Sequence, residues 1–600
     1  MHASGIVEGS IFCEQGVTLM QQFRVSLSVL TMGLMAAGLT APAFAETLKK
    51  PALDQLAAAW QGGKTASSFN AFLAQAEKAN PELKPAVAAY RKKATLTGDD
   101  LTNIGRLLGL YNRLHNQKAV IASLGAMVAL PTARNVQIPP HENPAIVDFG
   151  KLVEKTAKSF GLAYRNVDNR IFEVSLKGKG TEEFGILTHS DVVPAVLSEW
   201  VLDDGTKLDP FTMQRVGDRL YGRGTIDDKG SIAAVLYAMK TVKESGIPIQ
   251  RTMRLMIETT EETGGDAMEY YRGKTKLPEY NIVLDSGYPA VVAEKGAGSL
   301  SVFFPAEKTD GNLTAITDMG AAAAVNAISQ TASATLKGGD LAAVLAKLEA
   351  AKPAFLQKYE PQGKFAIAVS RKSDNGDSID IKVTGTSAHG SEPQNGVNPL
   401  PRLGLFLQES GVALADNQFL KAIKYIDTLY GTGYLGEKIG LGYSDDFMGP
   451  LTFSPNLIRT GADGRLVVSV NTRMPRGRTP EELKTQVEAK INDWAAANKA
   501  KVEIKYDQGN WMARDPSGQW LSTLLNIYGD TTGLEAKPVS AAGATTAKQM
   551  PNAISFGPGM PGKKYTGHNA KEYKEVPDLD ADLQMFTEML VRIGNLQQMQ

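Results

Sequence analysis

Short apolar runs alternate with stretches of helical periodicity between about residues 149 and 284, and this alternation restricts the fold more than any other feature. Helical spacing is found in residues 149–160 and 230–242. Strand-like runs occupy residues 171–176, 184–187, 253–257 and 281–284. Chains in which strands alternate with helices fold into a sheet that carries helices on its faces. We therefore expect an α/β domain in this part of the chain.

The segment before this domain has a different composition. Residues 46–117 are rich in alanine, leucine and lysine, with apolar residues at helical spacing and breaks at Pro81 and Gly98. A chain of 600 residues is too long for one compact core, so additional units are expected. We predict a helical extension of two to four helices over residues 46–117.

The alternation of strands and helices changes after residue 294. Strands are predicted over residues 299–304, 364–370 and 378–383, and helices over residues 320–335 and 341–359. This pattern favours a second domain of α+β type over residues 295–505. Residues 506–600 return to short strands and a terminal helix over 580–597. We expect them to complete the α/β domain begun by residues 118–294, with the second domain inserted into it.

The overall charge gives no sign of a nucleic-acid or membrane partner. Lysine plus arginine and aspartate plus glutamate number 64 each, so no excess of basic residues would attract nucleic acid or anionic lipid. Beyond the N-terminal segment no apolar stretch is long enough to span a membrane. A small molecule is the expected partner.

The N-terminus has the pattern of a secretory signal. Arg24 precedes the apolar residues 25–39, and Ala43-Phe44-Ala45 is a small-x-small cleavage site. We predict cleavage after Ala45 and a periplasmic or secreted protein, with residues 1–19 an over-long start; a buried N-terminal helix is the alternative. The one cysteine, Cys13, lies in this segment, so the mature chain would have neither disulfides nor thiolate metal ligands.

Histidines and acids lie at the ends of several predicted strands. Taken singly, each has an ordinary explanation: a hydrogen-bonded histidine, an aspartate that caps a helix, or a charged loop. They nevertheless follow one another at the ends of successive strands, where open α/β sheets place their sites. Without cysteine, such a set suits zinc, cobalt or manganese. The residues concerned are His189 and Asp191, Asp227 and Asp228, Glu261 and Glu262, Asp285, and His568.

Two other chemistries have weaker signals. The segment Gly385-Thr386-Ser387-Ala388-His389 falls one residue short of a G-x-S-x-G nucleophile elbow, because histidine replaces the last glycine. Residues 557–562 are rich in glycine but lack the lysine and threonine of a phosphate-binding loop. We interpret residues 557–562 as a loop that borders the active site.

With these motifs the chain resembles the M20 metallopeptidases, and most of all their bacterial PepV-type dipeptidases. The resemblance covers about residue 119 to the C-terminus and includes residues 385–398, GTSAHGSEPQNGVN. It implies a two-zinc exopeptidase-type catalytic domain with a mixed sheet and flanking helices. It also implies that the inserted α+β domain acts as a lid and as a platform for a dimer or pseudo-dimer; the helical extension lies outside the common pattern.

The resemblance also implies a role for each motif residue. His189, Asp227 and Asp285 would hold one divalent ion. Asp227, Glu262 and His568 would hold the other, with Asp227 bridging and the bond between Asp227 and Asp228 in the cis form. The expected cofactor is thus two divalent ions per chain, with zinc expected and cobalt or manganese as the alternatives.

The other implied roles concern catalysis and substrate binding. Glu261 would be the general base that takes a proton from a metal-bridging water, and Asp191 would orient His189. His389, on the lid, would donate a hydrogen bond to the oxyanion. Arg473 would grip the substrate carboxylate, and Asn326 would be a further substrate contact.

The function expected from these roles is hydrolysis of dipeptides or other short peptides. An N-acyl-amino-acid amidohydrolase would use the same metals and base on another amide. A peptide-binding protein without catalysis is the alternative from a different class. The chain could act as a monomer or as a homodimer.

Overall fold

The structure is a computed structural model, and it describes residues 47–61, 66–309, 313–322, 324–371 and 377–600. The predicted signal peptide, its cleavage site after Ala45, and Cys13 all lie outside the described residues. Within those ranges, no helix combines the length and the apolar character needed to cross a membrane.

Four helices form the N-terminal part: α1 (Lys50–Gln61), α2 (Phe69–Ala79), α3 (Lys84–Arg91) and α4 (Gly98–Val128). The breaks expected from the sequence are present, because Pro81 follows α2 and Gly98 begins α4. Helix α4 continues through residue 117 and packs against later helices. The boundary predicted at residue 117 therefore falls inside α4, and the division of the chain into domains stays a prediction.

The next segment builds most of the main sheet. Its helices are α5 (Pro144–Ser159), α6 (Lys229–Ser245) and α7 (Asp266–Lys274). Its strands are β1 (Ala163–Val167), β2 (Ile171–Leu176), β3 (Glu183–His189), β4 (Gln214–Val216), β5 (Arg219–Tyr221), β6 (Thr252–Glu258), β7 (Tyr280–Val283), β8 (Ser286–Gly287) and β9 (Val291–Glu294). Strands β3, β6 and β7 run parallel and are buried on both faces, which explains their continuous apolar runs.

The inserted segment forms a separate antiparallel sheet, here called the lid sheet. The helices of the segment are α8 (Leu341–Tyr359), α9 (Pro399–Glu409), α10 (Gln418–Leu429) and α11 (Pro480–Ala497). The strands are β10 (Gly296–Phe304), β11 (Ala315–Ala321), β12 (Ala327–Ile328), β13 (Thr331–Lys337), β14 (Ala366–Arg371), β15 (Ile379–Thr384), β16 (Ala388–His389), β17 (Ser444–Asp445), β18 (Gly449–Pro450), β19 (Thr452–Thr460), β20 (Leu466–Met474) and β21 (Glu503–Gln508). The eight strands of the lid sheet follow the order β14-β15-β13-β11-β19-β20-β10-β21.

One predicted element of the lid was wrong. The alanine-rich residues 320–335, predicted as a helix, contribute instead to strands β11, β12 and β13. In β13 the buried residues are Ala332, Ala334 and Leu336, a period of two. Pairing with β11 and β15 on either side decides the outcome, because burial on a sheet face outweighs the helical propensity of alanine.

The last segment returns to the main sheet. Its helices are α12 (Gln519–Thr532) and α13 (Val576–Gly594), and its strands are β22 (Met512–Ala513), β23 (Val539–Ala541), β24 (Ile554–Ser555), β25 (Pro558–Gly559) and β26 (Tyr573–Glu575). The main sheet has the order β1-β2-β6-β3-β7-β24-β9-β22, with β23 paired to β9. Strand β24 lies parallel to β7, so the C-terminal segment and the first segment share one sheet.

Two large apolar cores lie under the two sheets. The first core combines residues of the N-terminal helices, such as Phe72 and Leu108, with Ile232 of α6 and Phe586 of α13. The second core belongs to the lid and includes Phe406 and Trp494. The predicted fold class is confirmed: an α/β domain with a mixed sheet, an antiparallel lid sheet, and N-terminal helices.

Candidate metal centre

Parallel strands bring most of the predicted ligands to one edge of the main sheet. Strand β3 ends at His189, β6 is followed by a turn that contains Glu261 and Glu262, and Asp285 comes just after β7. Strand β3 is parallel to both neighbours, so the carboxyl ends of all three strands meet at the same edge. The loop before α6 brings in Asp227, and a loop between β25 and β26 brings in His568.

The five residues form two groups that share Asp227. In the first group, His189 Nε2 lies 2.9 Å from Asp227 Oδ1 and 3.6 Å from Asp285 Oδ1. In the second, His568 Nε2 lies 2.7 Å from Glu262 Oε1 and 3.3 Å from Asp227 Oδ2. Within each group the ligand atoms lie within 4.8 Å of one another. The two oxygens of Asp227 thus face different histidines, which is the arrangement that a bridging carboxylate requires.

The chemistry of the donors fits divalent cations. Each group offers one imidazole nitrogen and two carboxylate oxygens, a set that zinc, cobalt and manganese accept. The ligand side chains are only 1% to 9% exposed. Several carboxylates buried so close together are costly unless positive charge compensates them. The donors and their burial therefore fit two divalent ions.

The main chain fixes the tautomer of His189. Its Nδ1 lies 2.9 Å from the backbone carbonyl oxygen of Asp191. A carbonyl can only accept, so Nδ1 carries a proton, and Nε2, which points toward Asp227 and Asp285, is the nitrogen that would bind a metal. The Asp191 carboxylate lies farther away, with Oδ1 3.5 Å from Nδ1, and the orienting role of Asp191 stays a prediction.

The Asp191 carboxylate holds the turn that carries Glu261 and Glu262. Its two oxygens accept the backbone N–H groups of Glu261, at 3.2 Å, and of Glu262, at 3.0 Å. A carboxylate that accepts two backbone N–H groups fixes the turn that donates them. Asp191 thus connects His189 with the two glutamates. Its backbone carbonyl contacts the histidine, and its carboxylate holds the turn that carries the glutamates.

The electrostatics of the protein groups keep the shared acid ionised. Burial would raise the pKa of Asp227, but hydrogen bonds from His189 and His568 hold it well below its usual range. Burial raises the pKa of Asp285 to about 7. For Glu261, burial and then the Asp285 carboxylate raise the pKa well above the usual value.

The peptide bond between Asp227 and Asp228 is cis, as the resemblance implied.

The lid brings His389 against the second histidine. The two rings stack with their centroids 4.3 Å apart. The Nδ1 atom of His389 accepts the backbone N–H of Ser391 at 3.1 Å, and the Ser391 hydroxyl lies 2.7 Å from it. Because a backbone N–H can only donate, the proton of the neutral ring is on Nε2. Burial, then His568 and Arg473, lower the pKa of His389 well below its usual value, so the ring is a neutral donor.

Arg473 and Asn326 face the same cavity as Glu261 and His389. Within the described residues, the hydrogen bond of Arg473 is the one from Nε to Asn471 Oδ1, at 3.0 Å. Its two terminal NH2 groups are therefore available to a ligand. Asn326 lies beside the His389 loop, because its carbonyl accepts the Gly390 N–H at 2.7 Å. The cavity has a volume of about 1450 Å³, above the range common for small-molecule sites.

Every predicted site residue except Asp191 belongs to a ligand group or lines the cavity, and Asp191 contacts His189 and the turn of the paired glutamates. The roles of these residues stay predictions. The sequence reasoning missed Ser391, Arg223 and Glu572. Ser391 gave a weak signal, as a polar residue two positions after His389. Arg223 stands between two glycines of the motif, and Glu572 follows His568 by four residues. No local sequence pattern indicates that Arg223 and Glu572 are in contact, because 349 positions separate these two residues in the chain.

Comparison with known proteins agrees with the fold and the centre. The model of Peptidase family M20/M25/M40 matches residues 185–592, so the chain belongs to this family and the predicted resemblance is confirmed. The Beta-Ala-Xaa dipeptidase of Lactobacillus delbrueckii subsp. lactis is 29% identical over 480 residues, covering 79% of this chain and 96% of that protein. A putative dipeptidase of Bacillus subtilis (strain 168), YtjP, is 26% identical over 455 residues, covering 75% and 90%.

A solved structure shows the same fold. Human carnosine dipeptidase 1 aligns with a TM-score of 0.53 and 13% identity, over 82% of this chain and 99% of that one. The expected class of enzyme, a metal-dependent M20 peptidase, is thus confirmed by the family match.

Proposed function

We propose that the chain hydrolyses dipeptides, using two divalent cations held by the candidate metal centre. The observation that carries the proposal is the pair of ligand groups that share Asp227 within one cavity, which Glu261, His389 and Arg473 also line. The names of the two relatives, a Beta-Ala-Xaa dipeptidase and a putative dipeptidase, support this substrate class.

Each residue at the cavity has a chemical task in this proposal. When bound, the cations supply positive charge that lowers the pKa of a shared water and polarises a carbonyl. Glu261 takes the proton of the attacking water and returns it to the leaving amine, a task that suits a carboxylate next to the predicted ligand Glu262. His389 donates from Nε2 to the oxyanion. Arg473 uses its two available NH2 groups to bind the carboxylate of the substrate.

The size of the cavity does not by itself limit the substrate to two residues. A volume of about 1450 Å³ has room for more than a dipeptide. The buried guanidinium of Arg473 limits the length of the substrate instead. The free carboxylate of the substrate must reach Arg473 while its scissile carbonyl reaches the predicted metal ligands. The proposal therefore requires a substrate whose carboxylate is close to the bond that is cut.

The test is a panel of substrates with the zinc-, cobalt- or manganese-loaded full chain. Dipeptides, dipeptide amides, tripeptides and N-acetyl amino acids are compared, with Glu261→Gln as the control. We expect dipeptides to be cut fastest and their amides at least about 10-fold more slowly, since the charge-assisted pair with Arg473 is lost. Glu261→Gln should keep both metals and lose at least about 100-fold in turnover.

Other results would change the assignment. Preferred cleavage of N-acetyl amino acids would make the chain an N-acyl-amino-acid amidohydrolase. Tight binding of dipeptides without any product would make it a binding protein. Full activity of metal-loaded Glu261→Gln would refute the role of that glutamate as the base.

We also propose that this hydrolysis takes place outside the cytoplasm. The support is the sequence alone: Arg24, the apolar residues 25–39, and the small residues that end at Ala45. The mass of the chain recovered from the producing cells would show whether it begins at Glu46.

A further inference from the structure

A buried carboxylate holds the loop that presents the shared ligand. Glu572 Oε1 accepts the backbone N–H groups of Ile226, at 3.0 Å, and of Asp227, at 3.2 Å. Its Oε2 accepts the N–H of Gly224, at 3.0 Å, and Nη1 of Arg223, at 2.8 Å. The Glu572 side chain is completely buried. Both oxygens are thus satisfied by donors from the loop that contains Asp227.

Arg223 extends this contact to the loop that contains His568. Its Nη2 donates to the carbonyl oxygen of Asn569 at 3.2 Å, and Asn569 is the residue after His568. Its guanidinium also lies over the ring of Trp200, 5.4 Å from the centroid. The Arg223 side chain is 3% exposed. One guanidinium therefore bonds both to Glu572 and to the backbone beside a predicted metal ligand.

The segment that contains Arg223 and Asp227 and the segment that contains His568 and Glu572 lie side by side next to the metal centre. Strands β5 and β26 pair, with Tyr221 opposite Tyr573, and the N–H of Gly222 donates to the carbonyl oxygen of Glu572 at 3.0 Å. Beyond this point the segments diverge to present their ligands, and His568 Nε2 comes to lie 3.3 Å from Asp227 Oδ2. Arg223 and Glu572 lie between the strand pair and the two ligands.

We propose that Arg223 and Glu572 are positioning residues that set the placement of Asp227 relative to His568, and so stabilise the metal group Asp227, Glu262 and His568. The inference rests on the proposed two-cation function. The other group depends less on the pair, because His189 and Asp285 are placed by strands β3 and β7. Losing the pair should therefore affect the two ions unequally.

Glu572→Gln is the sharpest change because it keeps the size of the side chain. A carboxylate accepts at both oxygens, whereas an amide presents an NH2 group that would face either two backbone donors or Gly224 and Arg223. One side of the loop would lose its acceptor and meet a donor instead. We expect the affinity for the second ion to fall by about 10- to 100-fold, the range usual for partners that orient metal ligands.

The measurement is a calorimetric titration of zinc into the metal-free full chain. His568→Ala identifies the binding event of the group in question, because His568 belongs to that group alone. Glu572→Gln should weaken the same event and leave the other near its wild-type affinity. Arg223→Lys should also weaken this event, because one nitrogen does not occupy the two positions of Nη1 and Nη2, but it should weaken it less, because the ammonium keeps a positive charge beside Glu572.

Glu588→Gln is the matched control. Glu588 is completely buried and pairs with the buried Arg106 at 3.1 Å, but it belongs to helix α13 rather than to either ligand loop. We expect this change to lower the thermal midpoint while the ratio of the two zinc affinities stays as in the wild type.

The possible failures are distinguishable. Equal zinc affinities in wild type and Glu572→Gln, or an equal loss at both events, would overturn the positioning role. If Glu572→Gln does not fold, Arg223→Lys decides by the same criterion. If the wild-type chain itself does not bind two zinc ions, the proposed two-cation function fails first.

Discussion

His389 shows how much a single residue depends on its immediate neighbours. Its ring is fixed by two groups of Ser391 and stacks on the predicted ligand His568. The resulting donor, Nε2–H, is the atom that the proposed oxyanion role needs. A histidine free to choose its tautomer would present this proton only part of the time.

We predict that His389→Ala lowers turnover by about 100-fold or more while both metals stay bound. The expected size is that of removing one preorganised oxyanion donor. Turnover and metal content are measured on the same metal-loaded sample. Ser391→Ala is the companion variant and should lose much less, because the Ser391 backbone N–H still bonds to Nδ1.

Loss of metal from His389→Ala would contradict this prediction. It would mean that the ring, through its stack on His568, supports a ligand rather than the reaction. Equal activity of His389→Ala and wild type would also contradict it.

At this scale the sequence predicts ligands better than it predicts the groups that hold them. His189, Glu262 and Asp285 could be found because each follows a recognisable strand, and parallel strands bring their ends together. The spacing of His189 and Asp191 does not show which oxygen of Asp191 is nearer to the ring, because its carbonyl and its carboxylate can both reach the same nitrogen. Glu572 and Arg223 could not be paired from spacing alone.

The contact between helices α4 and α13 depends on a glycine. A Cβ atom on Gly109 would lie 2.4 Å from the backbone oxygen of Gln584. On Gly105, one turn earlier in α4, a Cβ would meet side-chain atoms of α13 at 3.6 Å, an ordinary contact. Of these two positions, Gly109 is therefore the more crowded, and the atom that a Cβ would meet there belongs to the backbone of α13, which moves aside less easily than a side chain.

We predict that Gly109→Ala destabilises the fold by about 1–3 kcal/mol, the usual cost of overpacking a core. Gly105→Ala is the matched control and should be neutral or stabilising by up to about 1 kcal/mol, since alanine favours a helix more than glycine does. Chemical denaturation of both variants measures the difference. Equal stability of the two would show that α13 can shift to make room at Gly109.

Elements whose apolar residues follow one clear period could be predicted from the sequence. The element in which helix and strand signals compete could not. The helices α5, α6 and α8 lie close to their predicted ranges, as do strands β2, β3 and β6. Residues 320–335 contain many alanines, which suit a helix, but the burial of the residues in β13 alternates as in a strand. The strand partners that decide this conflict, such as β15, come later in the chain.

A single chain contains the complete set of predicted site residues. The lid residue His389 and the ligand His568 of the same chain are in ring contact. Whether the protein is a monomer or a homodimer, each chain should therefore contain a full site.

We predict that two inactive variants do not rescue each other. Mixtures of His389→Ala and Glu261→Gln, unfolded and refolded together, should show only the sum of their separate residual activities. If lids were exchanged between subunits, mixed dimers would contain one intact site and activity would return. Turnover measured against the mixing ratio decides between the two.

Helix α4 also determines how much of the chain can be excised. The stretch matched by the family begins at residue 185, within strand β3. A fragment starting there would lack α4 and β2, leaving bare the surfaces of α6 and α13 and one side of β6. We therefore expect the autonomous folding unit to be larger than the stretch that the family model matches, and to include α4.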